Sequence, residues 1–211
     1  MKTSAEYRRI ARTALTNNYG MAIVITLVLA ALASAVSAVT VGIAPLFLFG
    51  AIAVGVSTAY IGLFRKGKIE FNDLFAAFNS NFVNAMVMGL LNALFVFLWS
   101  LLFVIPGIVA AYSYSMAPYI LADNPGMDGA NALEASKKLM KGKKGTLFCL
   151  HFSFIGWLIL SALTGGILYI VYVGPYMQSA TTAFYESIKN EATVYNNSKP
   201  ASGNAGSTES I

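Results

Sequence analysis

The sequence predicts an all-α, polytopic membrane protein with six transmembrane helices arranged as three hairpins, each preceded by an amphipathic interfacial helix. Two observations support this fold class. Hydrophobic residues make up 57% of the 211 residues and charged residues only 11%, whereas a typical soluble domain is about a quarter charged. The charged residues also leave three long runs, 13–64, 74–122 and 145–185, that contain no Asp, Glu, Lys or Arg. Lipid is therefore the expected solvent for much of this chain.

Each charge-free run is long enough for two membrane spans and a turn, because one span needs only about 20 residues. Each run is also interrupted by residues that usually separate helices. These are Gly42 and Pro45 in the first run, Pro106-Gly107 in the second and Gly165-Gly166 in the third. The predicted spans are 20–40, 46–64, 82–104, 108–122, 146–164 and 168–187.

Six spans return the chain to one side of the membrane after every pair, and the basic residues fit this layout. All 14 Lys and Arg lie in 2–12, 65–68, 137–144 or at 189 and 199. Single spans in place of hairpins would put successive basic segments on opposite sides. An excess of Lys and Arg marks the cytoplasmic side. The sequence therefore predicts a cell-membrane protein with both termini in the cytoplasm, one membrane domain over 1–190 and a disordered cytoplasmic tail over 191–211.

A cleaved signal peptide is the alternative interpretation of the first 35 residues. They have a basic start, an apolar run over 21–32 and a small-residue sequence, Ala33-Ser34-Ala35, that suits cleavage. The apolar sequence continues to Phe64, however, and no polar mature start follows. An uncleaved first hairpin is the favoured interpretation.

Three amphipathic segments precede the hairpins. The first follows a capping-box sequence, Thr3 to Glu6, and the second and third begin near Phe71 and Asn131. Apolar residues in them recur at helical spacing, and basic residues lie off that face in the first and third. We expect interfacial helices whose basic residues contact the headgroups of anionic lipids. The predicted contacts are Arg8, Arg9, Arg12, Lys137, Lys138, Lys141, Lys143 and Lys144. The alternative is that these residues bind a cytoplasmic partner or a nucleic acid. The sequence favours lipid contact and predicts no nucleic-acid binding. A membrane-protein partner stays open.

Several chemistries are excluded by residue counts. One cysteine, Cys149, allows no intramolecular disulfide, and with one histidine, His151, no His/Cys metal cluster can form. No cofactor is predicted. The predicted spans contain no charged side chain at mid-membrane, which disfavours transport coupled through a buried carboxylate and excludes an aspartyl intramembrane protease. Ser57 stands in a bare G-x-S sequence, within small residues suited to helix packing. The protein is predicted not to be an enzyme.

Polar side chains inside the predicted spans are the candidates for a binding site. They could line a pocket for a small amphipathic ligand or a lipid. They could instead form hydrogen bonds between helices and interfacial aromatic belts. His151 has the same two interpretations: a neutral, hydrogen-bonded side chain, or a group that handles protons or ligand. The candidates are Asn92, Tyr112, Ser115, Tyr119, His151, Tyr172, Tyr176 and Gln178.

Several motifs together resemble a bacterial family of integral membrane proteins known as domain of unknown function 975. They are Ile105-Pro106-Gly107-Ile108, the run 114–125, Phe71-Asn72-Asp73-Leu74-Phe75 with Phe78, Ala132-Leu133 with Ser136, Leu139-Met140, Gly142 and Lys144, and His151 with Ser153-Phe154-Ile155-Gly156-Trp157. The resemblance covers about residues 3–190. The family is remotely similar to the membrane portion of glycerophosphodiester phosphodiesterases. The resemblance implies a multi-pass membrane protein and no phosphodiesterase chemistry, and it assigns no functional residues.

The function predicted from the sequence is a non-enzymatic helper of the cell envelope that binds lipid or a partner protein. The alternative is a small-molecule transporter or permease not coupled through buried carboxylates. The arrangement of the polar candidates discriminates between the two: one solvated cavity at mid-membrane favours transport, and separate pairs in a dry bundle disfavour it.

Overall fold

A computed structural model describes residues 3–16, 18–39, 44–75, 78 and 82–198, with the side chains of 32–39, 44–48 and 194–198 outside that description. The described residues form helices joined by short connections, and no strand occurs among them. The α-helices are α1 (Ser4–Leu15), α2 (Tyr19–Val39), α3 (Ala44–Lys66), α4 (Phe82–Leu102), α5 (Val104–Tyr114), α6 (Ala117–Asp123), α7 (Gly129–Leu139), α8 (Lys144–Phe152), α9 (Ile155–Leu163) and α10 (Gly174–Ser198). A 3-10 helix covers Phe71–Phe75 and a π-helix covers Tyr169–Val173. The all-α prediction is confirmed.

Three stretches of the described chain are long and apolar enough to cross a membrane: Phe82–Leu102, Val104–Asp123 and Lys144–Leu163. A fourth is counted if α1 and Tyr19–Ala31, which meet at 100°, form one broken span. Helices α2 and α3 have 21 and 23 residues, but each includes side chains outside the description. The predicted number of six spans therefore stays a prediction, as does the arrangement in three hairpins.

The connection between α4 and α5 is a single extended residue, Phe103. Such a tight turn brings the two helices into close contact at Gly107. A Cβ added there would lie 2.2 Å from Oγ of Ser100 and 2.8 Å from its Cα. The break therefore lies at Phe103, before the predicted Pro106-Gly107, which lie in the first turn of α5. The glycine serves a close approach between the two helices.

The other predicted break that the structure describes is Gly165-Gly166, between α9 and the π-helix. Both residues have positive φ, 65° and 85°, in the left-handed region that glycine adopts without steric cost. Of the break predicted at Gly42 and Pro45, Gly42 lies outside the described residues, and Pro45 is the second residue of α3, which begins at Ala44.

Small residues set the spacing between α3 and α4. A Cβ on Gly89 would lie 2.6 Å from Cα of Gly50, and one on Gly50 would lie 2.0 Å from the carbonyl oxygen of Ala85. Such contacts between backbones are typical of helices that pack through small residues. Gly55, in the predicted small-residue stripe, packs instead against the backbone of Leu74, where a Cβ would meet its oxygen at 2.0 Å.

Helices α5 and α6 are interrupted at Ser115 and Met116, just before Pro118. A proline cannot continue the backbone hydrogen bonds of the preceding turn. The hydroxyl of Ser136 on α7 fills this break: it donates to the Ser113 carbonyl at 2.8 Å and accepts from the Met116 N–H at 3.2 Å. Ser136 is fully buried.

The first amphipathic segment is α1, and its capping box is present at Thr3 and Glu6. Its apolar face, which the sequence placed at the headgroup boundary, is covered by protein. Tyr7 and Leu15 are fully buried, and the Tyr7 ring meets Phe184 of α10 edge-on at 5.4 Å. The apolar face of α1 therefore packs against α10.

The second segment keeps its apolar side chains exposed. Leu74 is buried, whereas the four phenylalanines around it are 37–41% exposed. Neighbouring rings lie 5.5 to 6.1 Å apart, so the phenylalanines form one continuous row. This phenylalanine row consists of Phe71, Phe75, Phe78 and Phe82.

The third segment, α7, packs its apolar side into the protein, as α1 does. Leu133 and Met140 are buried, and Gly129 approaches α4 so closely that a Cβ would lie 2.4 Å from the carbonyl oxygen of Asn84. Of the three segments predicted to lie at the interface, the second alone shows an exposed apolar row among the described residues.

The tail predicted to be disordered from residue 191 begins as helix. Helix α10 continues through Ser198. Glu191 pairs with Lys143 at 2.6 Å, and Thr193 donates to the Lys189 carbonyl at 3.0 Å. These contacts extend the helix past the predicted boundary, and residues 199–211 lie outside the described residues.

Candidate functional site

Four charged side chains from three helices meet at one point, which we call the charged cluster: Arg65, Asp123, Glu186 and Lys189. Arg65 binds Asp123 through two hydrogen bonds, Nη1 to Oδ1 at 2.7 Å and Nη2 to Oδ2 at 3.0 Å. The same guanidinium reaches Oε1 of Glu186 at 2.8 Å. Lys189 Nζ contacts Oδ2 of Asp123 at 2.5 Å. The cluster joins the C-terminal ends of α3 and α6 to the middle of α10.

Asp123 is the centre of this cluster. Its side chain is 4% exposed, against 42% for Arg65, and Tyr185 also donates to its Oδ2 at 2.6 Å. A carboxylate this buried needs such partners, because an unpaired buried charge is costly. The cluster is fully paired, which is the arrangement of a structural tie between helices.

The predicted binding residues do not converge on one cavity. Tyr112 Oη lies 3.4 Å from Nδ1 of His151, and Nε2 of His151 lies 3.3 Å from Oγ1 of Thr181. Thr181 uses its only hydroxyl proton on the Met177 carbonyl, at 2.9 Å. Nε2 of His151 therefore donates, and in the neutral imidazole Nδ1 accepts from the Tyr112 hydroxyl, so that the side chain links α5, α8 and α10.

A second pair joins α6 to α10. Gln178 Nε2 donates to the Tyr119 hydroxyl at 2.9 Å, and the Tyr119 ring stacks on Tyr185 at 5.2 Å. Gln178 also lines a small cavity of about 100 Å³ together with Thr26 and Tyr60. The cavity is too small for a drug-sized ligand.

Tyr172 and Tyr176 line a different cavity, of about 280 Å³, which we call the tyrosine pocket. Its lining residues are Arg12, Leu15, Thr16, Tyr19, Tyr172 and Tyr176. The Arg12 guanidinium lies 5.9 Å from the Tyr176 ring centroid, within cation–π range, and the Tyr176 hydroxyl donates to the Arg8 carbonyl at 3.1 Å. The hydroxyl of Tyr19 is buried without a hydrogen-bond partner among the described residues.

The last two predicted binding residues lie apart from all three places. Ser115 donates to the Tyr112 carbonyl at 2.9 Å, within its own turn. Asn92 lies on α4, and its side-chain oxygen is buried with no partner in the described part of the chain. Neither lines the tyrosine pocket.

The predicted lipid-contact residues divide into paired and unpaired side chains. Lys138 pairs with Glu134 at 2.8 Å and Lys143 with Glu191 at 2.6 Å. The neighbouring Lys143 ammonium holds the pKa of Glu191 below its ordinary value. The others form no ion pair with a described carboxylate. These are Arg8, Arg9, Arg12, Lys137, Lys141 and Lys144.

Three groups of side chains that form contacts or line a pocket in the structure were not predicted from the sequence. Asp123 and Arg65 could have been found, because they are the first charged residues after the second and first charge-free runs. Ser136 shares one side of the third amphipathic segment with Leu133 and Met140, but its role at the Pro118 break was not predicted. Tyr19 carried no signal beyond its position at the start of a predicted span.

Among the described residues, no group of three or more His, Cys, Asp and Glu is placed to hold a metal ion.

The fold and these contacts define a class: an all-helical protein whose described residues include three helices, or four with the bent α1–α2 pair, long and apolar enough to cross a membrane. The chain belongs to the family of proteins of unknown function DUF975, whose family model matches residues 1–113 and 101–192. This confirms the family resemblance found in the sequence. No curated protein and no solved structure matches the chain.

Proposed function

We propose that the chain is a multi-pass protein of the bacterial cell membrane. The supporting observation is how little of its apolar helices the protein itself covers. Only 17% of the most apolar stretch of Phe82–Leu102 and 22% of that of Lys144–Leu163 is buried. Leu101 and Leu163 are 73% and 85% exposed. A water-soluble monomer rarely exposes contiguous apolar surface on this scale, whereas a bilayer solvates it.

The proposed topology has six spans with both termini in the cytoplasm. The charged cluster supports it, because Arg65, Asp123 and Glu186 are the first charged residues after the three charge-free runs and they meet in space. Runs that leave from and return to one surface would produce this convergence. The basic segments 65–68 and 137–144 support a cytoplasmic location for that surface, because Lys and Arg are in excess on the cytoplasmic side of membrane proteins. The phenylalanine row would lie in the adjoining interface.

Within that membrane protein we propose a non-enzymatic function: binding of an anionic lipid headgroup in the tyrosine pocket. Arg12 supplies a cation with no carboxylate partner in the described chain, and Tyr172 and Tyr176 supply aromatic walls. Tyr19 brings a hydroxyl that lacks a partner there, and a phosphate oxygen would satisfy it. The binding would serve a helper role in the cell envelope, alone or with a membrane-protein partner, and without nucleic acid.

The alternative function is an uncharged small-molecule transporter. The breaks at Pro118 and in the π-helix before α10 favour it, because discontinuous helices often form transport sites. The separation of Tyr112, Tyr119 and Tyr176 into three places supports binding over transport. The remote similarity to the membrane portion of glycerophosphodiester phosphodiesterases stays a prediction.

Titration of the purified full chain with lipid, followed by native mass spectrometry in a mild detergent, tests the proposed binding. The probes are dioleoyl phosphatidylglycerol and dioleoyl phosphatidylcholine. Arg12→Gln should weaken phosphatidylglycerol binding about fivefold, since one cation near a lipid headgroup contributes roughly 1 kcal/mol. Lys68→Gln, which removes an exposed cation outside the pocket, is the matched control. Equal affinities of Arg12→Gln and the control would contradict headgroup binding in the pocket.

A further inference from the structure

A groove of about 370 Å³ lies along α5, away from the tyrosine pocket, and we call it the lysine groove. Its walls include Trp99 of α4, Ile105, Val109 and Tyr114 of α5, and Lys137 and Lys144 from the segment 137–144. The volume is within the range of ligand-binding pockets. Trp99 and Val109 are each 46% exposed and Ile105 is 76% exposed, so the groove opens onto the surface proposed to face lipid.

The two ends of the groove differ in charge. Ser136 of α7 donates to the Ser113 carbonyl at 2.8 Å, which fixes α7 beside the last turn of α5. Lys137, the next residue, therefore lies at that end. At the other end, Gly107 contacts Ser100, which places Trp99 near the first turn of α5. One end is cationic and the other is entirely apolar.

The groove is long enough for an acyl chain to lie along α5. From Ile105 to Tyr114 the helix rises nine residues, or about 14 Å at 1.5 Å per residue. An acyl chain lying along α5 would reach from one end of the groove to the other.

The two lysines, Lys137 and Lys144, form no ion pair with a described carboxylate. Their neighbours Lys138 and Lys143 each form one. Lys144 is also half-buried. Two unpaired ammonium groups above an apolar groove complement an amphiphile with an anionic head and an apolar tail.

We propose that the lysine groove binds one anionic glycerophospholipid, with its phosphate on Lys137 and Lys144 and an acyl chain along α5. The inference rests on the proposed membrane location and is independent of the tyrosine pocket. A second membrane helix is the competing occupant.

The test uses the full chain with the same two lipids and the double variant Lys137→Gln with Lys144→Gln. We expect this variant to lose roughly thirtyfold in affinity for phosphatidylglycerol at one of its sites, at about 1 kcal/mol for each cation. The double variant Lys66→Gln with Lys68→Gln removes the same charge outside the groove and should keep that affinity. Losses of equal size in the two double variants would overturn the inference, because they would reflect net charge alone.

Val109→Trp tests the acyl-chain part, because Val109 lies half-exposed in the groove wall and its replacement fills the groove without entering the core. We expect this variant to bind one phospholipid molecule fewer than the unchanged protein, both with phosphatidylglycerol and with phosphatidylcholine. Unchanged lipid stoichiometry in Val109→Trp would overturn the inference. So would a photo-crosslinker at position 109 that labels protein rather than phospholipid in native membranes. The Arg12→Gln result is independent of these outcomes, so failure of the groove and failure of the pocket are distinguishable.

Discussion

Arg65 and Asp123, from helices far apart in the sequence, form a bidentate ion pair with nitrogen–oxygen distances of 2.7 and 3.0 Å. The pair lies where the first two charge-free runs end, and Glu186, which ends the third, accepts from the same guanidinium at 2.8 Å. The charged cluster thus ties α3, α6 and α10 together at one level. It is the feature on which the proposed layout depends most directly.

Removing either partner of this ion pair should destabilise the fold. We expect Arg65→Ala and Asp123→Ala each to cost about 2 kcal/mol, less than the roughly 3–5 kcal/mol for a fully buried pair, because Arg65 is partly exposed. A double-mutant cycle on thermal unfolding in detergent should give a coupling of about 1 kcal/mol or more. The same cycle on Lys138 and Glu134, both largely exposed, should give about 0.5 kcal/mol or less. Equal couplings would contradict the structural role of the cluster.

The hydroxyl of Ser136 should matter more than that of other buried serines. Ser136→Ala leaves the Ser113 carbonyl and the Met116 N–H without their partner, which should cost roughly 1–3 kcal/mol. Ser161 is also buried, but its hydroxyl bonds only to the Trp157 carbonyl of its own helix, so Ser161→Ala should be nearly neutral. Unfolding midpoints of the two variants check the prediction. A Ser136→Ala protein as stable as Ser161→Ala would show that the break is satisfied in another way.

The tight turn between α4 and α5 depends on Gly107. Gly107→Ala should destabilise the protein by about 1–3 kcal/mol, because the added methyl group would meet both the backbone and the side chain of Ser100. Gly156, also helical, has open space where a Cβ would stand, with no described neighbouring atom within 4 Å. Gly156→Ala should therefore be neutral or stabilising by up to about 1 kcal/mol. Thermal unfolding of the two variants provides the comparison, and a stable Gly107→Ala protein would argue against the close helix contact.

The ion pair between Lys143 and Glu191 should contribute a small pH-dependent stability. Because Lys143 lowers the folded-state pKa of Glu191 below its ordinary 4.5, the stabilisation is present above pH 4.5 and is lost as the pH falls through the folded-state pKa. Lys143→Met should therefore lower stability at pH 7 by about 0.2–1 kcal/mol. The difference should shrink as the pH falls below 4.5, and Glu191→Gln should abolish it at every pH. A difference of the same size in the Glu191→Gln background would assign the effect to packing of the lysine stem.

The all-α fold and the break at Gly165-Gly166 could be predicted, because apolar composition and glycine positions indicate them. Arg65, Asp123 and Glu186 end the charge-free runs, and Gly165 and Gly166 adopt the left-handed conformation expected at a break. Contacts between distant helices could not be predicted, because a periodic apolar face does not show what covers it. Tyr7 was therefore expected at the lipid interface, although Phe184 and α10 cover it.

The candidate site was less predictable than the fold. Composition identified Tyr112, Tyr119 and Tyr176 as polar groups inside apolar helices, but helical spacing alone does not say which helices face one another. The structure separates these three tyrosines and gives the first two hydrogen-bonding partners on other helices, His151 and Gln178. The grouping of Arg12 with Tyr172 and Tyr176 depends on the packing of α1 against α10, which no local pattern encodes.

The central claim is that three charge-free hairpins extend from one cytoplasmic charged face, and labelling of single cysteines in intact cells tests it most directly. In a Cys149→Ala background, cysteines at Phe103 and Thr164 should react with a membrane-impermeant maleimide added outside. Cysteines at Lys66 and Lys141 should react only after the cells are permeabilised. Labelling at Lys66 or Lys141 from outside, or at Phe103 only from inside, would contradict the proposed topology.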